Sequence, residues 1–356
     1  MSGRGAAGVP SRGAADATRR GAEGDGRSGP DVDSAAGFRD YIDYVVEAEA
    51  LGFASSFIVE HHFTGFGQVS ASLNLLTWIA ARTSRIRLGT AVLVLPWHNP
   101  VLLAEQAATL DLLSGGRLDF GIGRGYRHGE FDGFCIPITE AQARFDEAVE
   151  VITRAWTSET RFSHHGRFWR FENIVVEPPT AQRPHPPFWQ GAGHAESIAR
   201  VAARNHNLLI DQFCPFDVVA ERVACYRREL ARHGFADAPG RIGVARAFSV
   251  TRTEAEKQAA LERRFAAQQR MASVSNDAAG RNASSIMTFS DVRAASEESA
   301  MYGTPEEIAV KLERLRGMGV DYVLLNGGGT SRENLRRFAH EVMPMFTESR
   351  AQDAAE

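Results

Sequence analysis

What most restricts the fold of this chain is a repeated alternation of short β-branched apolar runs and longer helix-patterned segments, from residue 55 to about residue 346. The apolar runs fall at Ser55–Glu60, Ile86–Val94, Arg117–Gly123, Phe188–Gly191, Leu208–Asp211, Ile242–Val250 and Tyr322–Asn326. A run such as Ser56–Val59 is short and continuously apolar, the pattern of a strand buried on both faces. Helical segments follow at 71–82, 100–113, 139–156, 194–204, 216–233, 254–270, 305–318 and 333–346. Strand and helix alternating at this pitch form βαβ units around a parallel sheet. The expected fold is therefore α/β, a TIM (β/α)8-type barrel.

Such a barrel needs eight strands, and seven are present. A first helix carries Phe38, Tyr41, Ile42, Val45 and Ala48 on one face and ends at Gly52. The strand that should precede it is replaced by residues 1–36, rich in Gly, Ala, Arg, Asp and Ser, a composition that predicts a disordered low-complexity tail. Either the barrel is open beside Ser55–Glu60, or the start of the chain differs from the natural reading frame. The barrel domain then spans 37–348, with a short C-terminal tail at 349–356. It carries a hairpin insertion over about 160–187, with a turn at His165–Gly166 and a proline-rich return, and a polar, irregular mobile lid over about 271–299.

The chain's ends of strands carry its chemistry. Glu60, His61 and His62 crowd the C-terminal end of the first strand, where an open α/β sheet or a barrel places its reacting groups. Adjacent strand residues point to opposite faces, so one histidine is a candidate catalyst and the other is structural. Adjacency does not suit zinc, and no HExxH or CxxC accompanies the pair, so no metal is expected. Gly121-Ile122-Gly123-Arg124-Gly125 closes another strand; glycines there admit a planar or anionic ligand, and Arg124 suits a phosphate. Gly191 to Ser197 joins a strand to a helix, with backbone N–H groups free for an anion, or with His194 or Ser197 acting only as a cap. His164 and His165 read as solvent-facing hairpin residues, and His98 either lines the mouth or sets up the helix at Pro100.

Overall charge narrows the partners. The 356 residues carry a formal charge of −4, which gives no basic field for nucleic acid. Cys135, Cys214 and Cys225 have neither metal nor redox spacing and read as buried thiols in a reducing cytoplasm. No apolar run reaches membrane-spanning length.

The segments EHHFTGFG at 60–67, RLGTAVLVLPWHNPV at 87–101, LSGGRLDFGIGRG at 113–125, GTPEEI at 303–308 and VMPMF at 342–346 together resemble the luciferase-like flavin monooxygenases. That resemblance implies a barrel, often dimeric, that binds reduced FMN at the strand ends. It implies His61 as catalytic base with Glu60 beside it, and Arg124, Gly125 and Tyr126 at the cofactor. Gly193, His194, Ala195 and Ser197 would hold the phosphate, and Ala91–Val92 would form a non-prolyl cis bond beneath the flavin ring. The implied activity is a two-component monooxygenation. A separate flavin reductase supplies reduced FMN, which reacts with O2 to a flavin C4a-hydroperoxide that oxygenates a small organic substrate. A related branch of the family uses the deazaflavin F420 for hydride transfer, and a flavin-binding protein without oxygenase activity is the non-enzymatic alternative.

Overall fold

Residues 35–64, 69–277, 279–281, 284–290, 292–320, 322–327 and 331–346 are described by a computed structural model. The proposed N-terminal tail up to residue 34, the C-terminal tail, Gly65–Gly67 of the first motif, Gly328–Gly329, and residues 278, 282, 283 and 291 of the 271–299 segment lie outside the described residues. Strands β1 (Ser55–Ile58), β2 (Arg87–Thr90), β3 (Leu93–Val94), β4 (Leu118–Gly123), β5 (Phe162–His165) and β6 (Arg170–Ile174) occupy the first half. They are followed by β7 (Phe188–Gly191), β8 (Asn207–Ile210), β9 (Ile242–Val250), β10 (Met301–Gly303) and β11 (Tyr322–Asn326). The helices are α1 (Ala36–Ala50), α2 (Ser72–Arg82), α3 (Pro100–Leu113), α4 (His128–Gly133), α5 (Ala141–Thr157) and α6 (Ala195–Ala203). They continue with α7 (Phe216–Arg232), α8 (Glu254–Ser275), α9 (Arg293–Ser299), α10 (Pro305–Gly317) and α11 (Arg332–Arg337).

The sheet runs β1-β2-β4-β7-β8-β9 with every pair parallel, β11 beside the first half of β9 and β10 beside its end. This is the expected α/β architecture, curled so that strands distant in the order meet inside. Phe57 of β1, Trp189 of β7 and Tyr322 of β11 bring their rings within 5.1–6.1 Å of one another. Among the described residues β1 and β11 share no backbone ladder, and these rings bridge that side of the barrel. Outside the sheet two cores form, one under α1, α2, α3 and α5, the other under α6, α7 and α10. Leu76, Ile79, Leu88 and Leu110 are fully inaccessible in the first, and Val219, Tyr226, Val244 and Leu315 in the second. That burial of apolar area is the main favourable term in folding.

Several expectations need correction. The β5–β6 hairpin exists, but its turn spans Gly166–Trp169, closed by Gly166 N–H donating to the Trp169 carbonyl at 3.0 Å. Strand alternation sends His165 outward and His164 inward, so His164 is buried rather than solvent-facing. Cys135 is exposed in a left-handed turn after α4, unlike Cys214 and Cys225, which are buried. The segment 271–299 is more regular than its polarity suggests. α8 continues to Ser275 and α9 occupies its end, held by cations from α8 and α10: Arg264 donates to the Ser296 carbonyl of α9 and Lys311 to the carbonyl of Ala300, the residue that ends it. β10 follows, a strand the sequence pattern did not reveal.

Candidate active site

The chain leaves β1 at Ile58, and two residues on Glu60 turns inward with only 1% of its surface exposed. Its carboxylate accepts four hydrogen bonds. Oε1 takes them from His62 Nε2, His98 Nε2 and Trp97 Nε1, each at 2.8 Å, and Oε2 takes one from the Val94 amide at 2.8 Å. Burial alone would push this carboxyl up, but the donors from His62, His98 and Trp97 outweigh it and hold it at about 2. Glu60 is thus an anion that ties the β1 end to the loop after β3. His98 serves this tie, while Asn99 caps α3 by accepting from the Val101 and Leu102 amides.

His61 points elsewhere. Its Nδ1 donates to Glu130 Oε1 at 2.9 Å, and the same oxygen accepts the His62 amide at 3.0 Å. Glu130 sits in α4 and is itself buried. The proton that His61 Nδ1 donates to Glu130 fixes the tautomer, leaving His61 Nε2 as the acceptor, and Nε2 has no protein partner among the described residues. Burial lowers the His61 pKa below its ordinary value; the Glu130 bond raises it and Arg127 lowers it further. The side chain keeps 13% exposure. A neutral imidazole, oriented by a carboxylate and partly open, is equipped to accept and return a proton near neutral pH.

The floor beside it lies between β2 and β3. The Ala91–Val92 peptide is cis, and the Ala91 amide donates to the Ile58 carbonyl at 2.7 Å. β4 packs so closely here that a Cβ at Gly121 would collide with the Thr90 carbonyl and one at Gly123 with the Val92 side chain. Glycine at both positions lets the kinked segment sit flush on β4; the two glycines are buried, while Ala91 and Val92 keep part of their surface open, which fits a flat ring system. Beyond it the chain turns at Gly125, with φ +81°, and Tyr126 follows, its phenol pKa raised by burial.

Arg124 is exposed and has no hydrogen-bond or ion-pair partner among the described residues. Burial, then Arg200 on α6, lowers its pKa, while Asp146 opposes. At the N-terminus of α6, His194 is the cap residue; its amide donates to Ser197 Oγ at 3.1 Å and its carbonyl accepts from that hydroxyl at 2.7 Å. Ser197 is thus engaged locally, while the exposed residues Ala195 and Glu196 begin the helix. Arg124 and this first turn fit a phosphate: a free guanidinium and a helix N-terminus on one side of the mouth.

The sequence reading missed Glu130, which shows only as one of many acidic residues until α4 folds back over His61. It also missed Trp97 as a donor and the ring wall of His62, Phe63, Trp97 and Phe134, with centroids 4.9–5.7 Å apart. The run HHF near WHNP was the available signal for that wall.

Comparison with known proteins agrees with this geometry. A family model described as luciferase-like monooxygenase matches residues 19–322. The FMNH2-dependent dimethylsulfone monooxygenase of Pseudomonas putida is 29% identical over 319 residues, which is 85% of this chain and 86% of that one. The uncharacterized protein y4vJ of Sinorhizobium fredii is 34% identical over 177 residues, and there the match spans only half of each chain. Among solved structures, the monooxygenase RslO1 of Streptomyces bottropensis superposes with a TM-score of 0.77 at 28% identity, covering 88% of this chain and 94% of its own. This chain belongs to the luciferase-like monooxygenase family.

Proposed function

We propose that this protein is the oxygenase of a two-component system, taking reduced FMN from a separate flavin reductase and inserting one atom of O2 into a small organic substrate. The chain is a flavin-dependent monooxygenase. The observation that carries the proposal is the His61–Glu130 pair together with the partly open cis Ala91–Val92 segment that follows β2. When bound, reduced FMN supplies the electrons and activates O2.

The chain's own residues do the rest. Ala91, Val92, Gly121 and Gly123 offer the ring a flat apolar support. Arg124 and the α6 first turn, from Gly193 through His194 and Ala195 to Ser197, hold the phosphate. Gly125 and Tyr126 close the edge of the pocket. His61 Nε2 accepts a proton and returns it, with Glu130 fixing the ring. Glu60 acts through others: its four hydrogen bonds fix the mouth loops, making it a positioning residue. Segment 271–299 covers the mouth and limits water, which the chemistry requires.

We also assign a homodimer. α2 and α3 turn Trp78, Leu102 and Leu113 outward at 63%, 56% and 66% exposure, more apolar surface than a lone helix pair needs. No helix among the described residues is long and apolar enough to cross a membrane. With Cys135, Cys214 and Cys225 all unpaired, a reducing cytoplasm suits the chain.

The test is anaerobic titration with reduced FMN, then mixing with O2 and a panel of small organic substrates while product and H2O2 are measured. Oxygenated product in proportion to reduced FMN is expected. Binding that yields only H2O2 across the panel overturns the oxygenase reading, and binding of reduced F420 in place of FMN transfers the chain to the hydride-transfer branch.

A further inference from the structure

A cavity of about 940 Å³ opens on the flank of the barrel between α5, the β5–β6 hairpin and the segments that enter β7 and β8. Its place follows from the chain order. His185 precedes β7 and His206 stands directly before β8, so both lie at the strand ends opposite the mouth. α5 adds Asp146, Glu150 and Arg154, which recur every four residues and share one face of the helix. The volume is that of a small-molecule site, typically about 300–1,000 Å³. The proton transfer assigned to His61 uses none of these residues.

His206 is more than nine-tenths buried, and its ring stacks on Phe188 with centroids 4.5 Å apart. Its Nδ1 donates to Gln190 Oε1 at 3.2 Å, which leaves Nε2 to accept, and Nε2 has no partner among the described residues. Arg204 gives one arm to Asp146, Nη2 to Oδ1 at 2.6 Å, while its Nη1 is buried with no hydrogen-bond partner. Arg241 donates to Ala236 and Asn205, and Arg154 to the Ser163 carbonyl; neither has a carboxylate partner among the described residues. The field at the floor is therefore positive. Burial first, then Arg204, His185 and Arg241, press the His206 pKa down to about 3, and the ring stays neutral. The acids of α5 do not cancel that field. Asp146 is taken by Arg204, and Glu147 accepts the Arg167, Phe168 and Trp169 amides of the hairpin. Glu150 is exposed and has no partner among the described residues.

A guanidinium arm without an acceptor, in a field that two further cations leave uncompensated, calls for negative charge on the ligand; an oxyanion supplies both the charge and the acceptor. The remaining unused groups, His206 Nε2 and Glu150, accept hydrogen bonds. Glu150 stands one helical turn, about 6 Å along α5, from Asp146 and so from the Arg204 pair. The positive floor rejects an ammonium group, so the donors that suit these acceptors are hydroxyls. We propose that this cavity is a second binding site, for a polyhydroxylated organic oxyanion of the sugar-acid or sugar-phosphate type. Its anionic group meets Arg204, and its hydroxyls meet His206 Nε2 and Glu150. The site lies at the opposite strand ends from the flavin and does not depend on which flavin the mouth takes.

The experiment is calorimetric titration of the full chain with gluconate and with glucose 6-phosphate, with glucose and inorganic phosphate as controls. In the wild type at least one of the two hydroxylated oxyanions should bind more tightly than either control, and the tighter of the two decides between carboxylate and phosphate. Loss of a charge-assisted hydrogen bond should raise its Kd about 10- to 100-fold in Arg204→Gln. Glu150→Gln should raise it about 3- to 10-fold without weakening inorganic phosphate. Arg124→Gln, which removes the cation assigned to the flavin phosphate, should leave it unchanged. If Arg204→Gln fails to fold, the exposed Glu150→Gln carries the test. A wild type that binds neither hydroxylated oxyanion better than the controls overturns the proposal. So does binding that survives in folded Arg204→Gln and Glu150→Gln, and binding that is lost in Arg124→Gln, which would place the ligand at the mouth.

Discussion

The chain contains two His-His pairs, His61-His62 after β1 and His164-His165 in the β5–β6 hairpin, and they end in opposite circumstances. Each of the four rings reaches a glutamate: His61 to Glu130, His62 to Glu60, His164 to Glu147 and His165 to Glu172. In the hairpin the ring nitrogens that pair are saturated or in water. His165 and Glu172 are both more than half exposed, and Glu147 spends its oxygens on the Arg167, Phe168 and Trp169 amides. At the barrel mouth the carboxylates are almost wholly buried, and His61, its Nδ1 held by Glu130, keeps Nε2 without a protein partner among the described residues. Local sequence supplies the same groups in both places. The burial of the partners, with the His61 ring oriented by Glu130 and still 13% exposed, is what equips one pair for proton transfer.

The strongest way to break this contrast is His61→Ala. Product per reduced FMN should fall about 10²- to 10⁴-fold, the usual worth of a positioned acid–base group, while FMN affinity changes little; unchanged product yield would reduce His61 to a structural role. Glu60→Ala comes next. It strands four donors and should cost about 3–5 kcal/mol in a denaturant melt. The same anion predicts an acid limb of stability. Its folded pKa of about 2 lies below the ordinary 4.5. The contribution is therefore complete above about pH 4.5 and is lost as pH falls through about 2; Glu60→Ala should flatten that limb.

In the hairpin, Glu147→Ala removes an acceptor for three backbone amides and His164, at a cost of about 1–3 kcal/mol, with the activity of the folded enzyme unchanged. Glu130→Gln sharpens the comparison from the other side. The Glu130 bond raises the His61 pKa, so its loss should move the acid limb of the pH–rate profile lower, and looser orientation should cost about tenfold in rate. An upward move of that limb would contradict the assignment. His165→Ala, at an exposed pair, should change stability by no more than about 0.5 kcal/mol.

Much of the fold was legible because apolar periodicity is a local property. A buried parallel strand must be apolar throughout, and a helix covering it must repeat every three to four residues, so seven strands and their helices could be read directly. The motif glycines were legible for a related reason: at Gly121 a Cβ would meet the Thr90 carbonyl and at Gly123 the Val92 side chain. β10 and α9 escaped because their order comes from Arg264 and Lys311, which are remote in sequence. The same holds for the buried state of His164, decided by which face of β5 turned toward Glu147.

The sequence by itself determined the parallel α/β architecture and marked the strand ends, with their charged and glycine-rich residues, as the place to look for chemistry, since these follow from pattern and spacing along the chain; the choice of His61 over His62 came from the family resemblance. Tertiary structure alone decided that Glu60 would be consumed as a four-donor anchor while His61 kept a nitrogen free. It alone brought Glu130 to His61. Hydrogen-bond partners are chosen by distances of about 3 Å in space, and separations of up to roughly a hundred residues along the chain carry no trace of them.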